Sequence, residues 1–163
     1  MNESLAEFLA KLDGGMNWIE KRHEREKAIR EGAPKLWRSV ASELKGCVDS
    51  YTSLYGVKKD KKVECEVNNG SVTIQAFGKR LDEWIPTSAL HIQLQDTPHY
   101  HIQVFATEPR IGKAGTVSAP IKRPQVADFL FDVDDEGVFL TDKGQRVDIE
   151  GTAKAILEKF LFG

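Results

Sequence analysis

The sequence predicts an α+β domain: helices through the first third, then an antiparallel meander of about five or six strands, then a C-terminal amphipathic helix packed on the sheet. Three observations predict it. Apolar residues recur every three or four positions up to Tyr55, alternate every second position from Lys61 onward, and return to helical spacing after Asp148. A chain of 163 residues fits one domain and can bury a real core.

Leu5, Phe8, Leu9 and Leu12 form the first helical stripe, with Ser4 as N-cap and Glu7 completing a capping box. Gly14–Gly15 is read as a break. This divides the chain into an amphipathic arm, residues 1–15, and a single domain, residues 16–163. The next segment is dense in charge of both signs, with Trp18, Ile19 and Ile29 as its apolar anchors. It reads as a largely solvated helix whose opposite charges fall at i,i+3 and i,i+4. Gly32 is expected to stop it and Pro34 to open another. Trp37, Val40, Leu44, Cys47, Val48, Tyr51, Leu54 and Tyr55 then predict a long core-facing helix, ended by Gly56.

The strands begin with Val63, Cys65 and Val67 alternating with Glu64 and Glu66, followed by the hairpin signal Asn69–Gly70. Val72, Ile74 and Ala76 continue the apolar face, as do Leu90, Ile92 and Leu94, then Ile102 and Val104. Glu108 to Gln125 holds Pro109, Gly112, Gly115, Pro120 and Pro124 and is expected to be a long basic loop. Phe129, Phe131 and Val133 return to alternation. Asp148 is the expected cap of a last helix with Ala153, Ile156, Leu157, Phe160 and Leu161 on its apolar side.

Composition narrows the function classes. The net charge is −2, so no global field favours nucleic acid or an anionic membrane. Two cysteines, Cys47 and Cys65, are no disulfide framework. No apolar run approaches the roughly 20 residues of a membrane span, and the acidic start lacks a signal-peptide pattern. The expected location is cytoplasmic.

No motif specifies a chemistry. Asp132 to Gly137 resembles the start of a calcium loop, but position twelve is Lys143 rather than a bidentate Glu. Gly112–Lys113–Ala114–Gly115–Thr116 lacks phosphate-loop spacing. No cofactor is indicated. His99 and His101 stand two apart and share a face if both lie on one strand. A Leu94–Tyr100 pair would set His91 opposite Gln103 and diagonal to His101. Three converging imidazoles would suit zinc, but no acidic residue of the same strands is placed to orient them, and no metal ligand set is assigned.

The surface singled out is the second face of the strands from Ser71 to Thr107. Thr73, Gln75, Phe77, His91, Gln93, Gln95, His99, His101, Gln103 and Phe105 include no Lys, Arg, Asp or Glu, in a chain that is 29% charged. The leading expectation is a non-catalytic binding or assembly module using this face, centred on His91, Gln93, His99, His101, Gln103 and Phe105, with a protein partner or self-association. An enzyme using His91, His99 and His101 is the alternative. A further alternative is nucleic-acid binding through basic segments 58–62 and 110–123, where Arg110, Lys113, Lys122 and Arg123 form a candidate anion-binding loop.

Overall fold

A computed structural model describes residues 4–56, 61–111 and 117–163, without the side chains of 13, 16, 108–111 and 117–124. The α+β class holds. A single helix, α1 (Leu5–Tyr55), precedes strands β1 (Lys61–Val67), β2 (Ser71–Arg80), β3 (Glu83–Gln95), β4 (His101–Ile111), β5 (Val117–Asp134), β6 (Gly137–Asp142) and β7 (Gln145–Val147). Helix α2 (Ile149–Phe162) closes the chain. The strands form one antiparallel meander in sequence order. Seven strands exceed the expected five or six because β7 is only three residues long and leaves little alternation to read.

The expected breaks at Gly14–Gly15 and Gly32 do not occur, and α1 runs unbroken for 51 residues with Pro34 inside it. Gly32 serves a different purpose. A Cβ built there would come within 2.5 Å of Val138 Cγ2, so glycine lets the helix lie close against β6. The capping box of Ser4 and Glu7 is formed as expected: the Glu7 amide donates to Ser4 Oγ at 3.2 Å, and the Ser4 amide to Glu7 Oε2 at 3.3 Å.

Both helices cover one face of the sheet. Trp37, Val40, Leu44 and Val48 pack with Val72, Ile74, Ile92, Ile102, Phe129 and Leu140 in one core, joined by Ile156, Leu157 and Leu161 from α2. The Trp37 indole is buried, and its Nε1 donates to the Asn69 carbonyl at 3.1 Å, pinning the β1–β2 hairpin beneath the helix. Tyr51 and Tyr55 meet Phe162 edge-on at 5.5 and 5.9 Å, tying the two helices. Asp148 caps α2 by accepting the Gly151 amide at 2.6 Å.

The expected loop from Glu108 to Gln125 is instead mostly strand. Residues 108–111 of β4 pair with 117–121 of β5, although β3 pairing ends at Thr107 and β6 pairing begins only at Phe129. This ribbon therefore has free outer edges, where prolines cost no ladder hydrogen bond. Register shifts at three places between β4 and β5, from Val104 to Arg110, absorb the extra residues of β5.

Candidate functional site

Antiparallel register determines which side chains share the uncovered face, because directly opposed residues point the same way. Four rows cross it. Gln95 stands opposite His101 and Leu130. Ser71 pairs with Gln93, Gln103 and Asp128. Thr73 pairs with His91, Phe105 and Gln125, and Gln75 with Ala89 and Thr107. Glu64 and Glu66 of β1 oppose Gln75 and Thr73, so carboxylates border the uncharged area on that side and Asp128 borders it on the other.

Within this area the polar groups are hydrogen-bonded to one another. Gln95 Nε2 donates to Gln93 Oε1 at 3.0 Å and Gln103 Nε2 to Gln125 Oε1 at 3.3 Å. Gln75 Nε2 donates to the carbonyls of Ala76 and Ser88 at 2.8 and 3.2 Å. His91 Nε2 lies 3.1 Å from Thr107 Oγ1. Thr73, Gln75, His91, Gln93, Gln103 and Phe105 are half-buried, and both described helices pack against the other face. The result is a held lattice of amide, imidazole and hydroxyl groups.

The three histidines occupy three different environments. The β3–β4 register is displaced by two residues from the Leu94–Tyr100 pairing expected from sequence: Leu94 pairs with Ile102, and His91 faces Phe105 rather than Gln103. The reason is Tyr100, whose carbonyl accepts from the Phe131 amide at 3.2 Å while its ring packs edge-on to Phe131 at 6.3 Å. His99 is thereby left in the exposed turn. His101 is 7% exposed. Its Nδ1 lies 2.8 Å from Asp128 Oδ1 and its Nε2 3.3 Å from the Thr97 carbonyl. Both partners are acceptors, so a neutral ring satisfies one and the imidazolium both. The carboxylate that sequence could not find for this histidine comes from β5. With Nδ1 on Asp128 and Nε2 on the Thr97 carbonyl, the ring ties β5 to the β3–β4 turn. Among the described residues no three His, Cys, Asp or Glu side chains converge as a metal site.

A groove of about 760 Å³ opens elsewhere, where α1 leaves the sheet. Trp18, Lys21, Arg22 and Arg25 line its helix side, and His99 and Tyr100 lie on the other. Arg25 is bonded to Asp132 and Arg22 to Glu26 at 3.2 Å, so two of these three cations are already paired. The cysteines are free. Burial, reinforced by Glu43, raises the Cys47 thiol, and burial raises Cys65 against the pull of Lys45, so neither is an activated nucleophile.

Of the basic candidates, Lys113, Lys58 and Lys59 lie outside the described residues, as do the side chains of Arg110, Lys122 and Arg123. Their strands place Lys122 in register with Thr107 and Arg110 with Ser118. Sequence reading missed one feature of the face. Lys62 pairs with Phe77, and Lys79 with Trp84, so the uncharged rows continue into alternating cations and aromatics. The signal was present in Phe77–Gly78–Lys79, but Trp84 needed the hairpin register. Among the described residues no helix is long and apolar enough to cross a membrane. The chain matches no protein-family model, and it finds no match among curated proteins or solved structures.

Proposed function

We propose that the protein is a non-catalytic binding module, acting in the cytoplasm, whose working surface is the second face of β2, β3 and β4 around Gln93, His91, Gln103 and Phe105. One observation carries the reading: both helices lie on the opposite face, yet in the four rows described above the positions that β2, β3 and β4 contribute hold no Lys, Arg, Asp or Glu, and their amides are already aligned by hydrogen bonds. An ordinary solvated face has no need of that composition. A partner that covers it exchanges water for a prearranged set of donors and acceptors, which lowers the ordering cost of binding.

The test is a resonance-mapping experiment. Isotopically labelled protein is titrated separately with the nucleic-acid, small-molecule and protein fractions of a cell extract. At least one fraction is expected to shift backbone resonances clustered on Thr73, His91, Gln93, Gln103 and Phe105. Gln93→Glu with Gln103→Glu, a cross-strand pair, should abolish those shifts by placing two like charges opposite each other. Shifts that map to the other face, or that survive the double substitution in a folded variant, overturn the reading.

A further inference from the structure

We propose that this face binds single-stranded nucleic acid, with bases stacked on Phe77 and Trp84 and the phosphate chain followed by the cations at that end of the sheet; this rests on the second face being the working surface. Stacking on exposed rings is how sequence-tolerant single-strand binders hold bases, and amides and imidazoles beside them bond base edges. Both components are adjacent here. Phe77 opposes Pro86 and Trp84 opposes Lys79, so the two rings belong to neighbouring rows of neighbouring strands. Diagonal cross-strand neighbours are about 7–8 Å apart, a step that successive nucleotides of an extended strand can follow. Trp84 is 42% exposed.

Each ring now carries a cation in place of a base. Lys62 Nζ sits 5.5 Å from the Phe77 centroid and Lys79 Nζ 5.9 Å from that of Trp84. A base that takes the ring face releases the ammonium toward the adjoining phosphate. In the two rows of this face beyond the Gln75–Ala89 pair, Lys62 stands in register with Phe77 and Lys79 with Trp84; Lys62 also pairs with Glu64 at 2.9 Å, while Lys61 lies on the helix side, donating to the Phe160 and Leu161 carbonyls. Moving inward from these cations, a bound strand would cross the row of Thr73, His91 and Phe105 and then reach Gln93 and Gln103. A lipid surface fits less well. It would meet the β2–β3 tip first, where Leu81, 92% exposed, stands beside Asp82 and Glu83.

The probes are fluorescent single-stranded oligouridylate and oligothymidylate of roughly a dozen nucleotides, within the site sizes of single-strand binders. The controls are a duplex of the same length and vesicles rich in phosphatidylserine. Binding to at least one single strand is expected at low salt, weaker for duplex, falling as salt rises. Trp84→Ala, at an exposed hairpin position, is expected to weaken it roughly tenfold, the worth of one stacked base, with the melting curve showing the variant folded. Lys79→Gln should reduce the salt dependence. Vesicle binding without oligonucleotide binding overturns the proposal, and so does full affinity in Trp84→Ala. If another extract fraction shifts Gln93 and Gln103 while oligonucleotides shift nothing, the ligand class is wrong and the binding face stands. If nothing perturbs the face, both fall.

Discussion

Arg25 reaches across from α1 to Asp132 on β5, donating from its Nε at 3.1 Å and from a second guanidinium nitrogen. Burial alone would raise the Asp132 carboxyl, but the Arg25 guanidinium and the Val133 amide outweigh it and hold it below the ordinary carboxylate value. The folded value therefore lies under the unfolded one. The stabilisation is complete above about pH 4, the ordinary aspartate range, and is lost as pH falls through the folded value. Asp132→Asn should lower stability modestly at neutral pH, by less than about 1 kcal/mol for so exposed a pair. Denaturant melts at a series of pH values should show the gap between variant and wild type closing in acid. A gap that stays constant would mean that the ion pair contributes nothing. At the same scale, Trp37 was legible because it opens a sustained apolar stripe, whereas the Asp128 partner of His101 was not, since the two are 27 positions apart.

Helix α1 joins two regions of different burial. From Ala33 to Tyr51 its apolar side lies in the core, while Leu5, Phe8, Leu9, Leu12, Trp18 and Ile19 are all exposed, as are Leu54 and Tyr55, which the sequence placed in the core stripe. Gly14 and Gly15 interrupt only the exposed part, and a Cβ at either position would meet nothing within 4 Å. Each glycine costs about 1 kcal/mol of helix propensity relative to alanine. Gly14→Ala with Gly15→Ala should therefore increase far-ultraviolet helical signal and slow amide exchange along Leu5–Ile19, leaving the global melting point nearly unchanged. Unchanged exchange there would contradict the view of this stretch as the weak point of the helix. Sequence reading took Gly14–Gly15 as the end of a helix, and the helix continues through it, because propensity acts residue by residue and helix continuation is cooperative.

For the molecule as a whole, the exposed stripe means that the arm does not dock on its own domain. A chain beginning at Met16 should keep the melting point of the full chain, and if a second copy covers Leu5, Phe8, Leu9 and Leu12, its sizing profile should shift toward a smaller species. A lower melting point would show that these residues stabilise the domain after all. By itself the sequence determined the α+β class, the caps at Ser4 and Asp148, the strand periods and the Trp37 stripe. These are signals between residues a few positions apart, where backbone geometry dictates the spacing. Only the tertiary structure decided the β3–β4 register, the close approach at Gly32, the strand character of 108–111 and 117–125 and the face left uncovered. Each depends on a partner distant along the chain: Phe131 for Tyr100, Val138 for Gly32, β5 for the proline-bearing end of β4, and the single side of the sheet on which both helices find apolar cover.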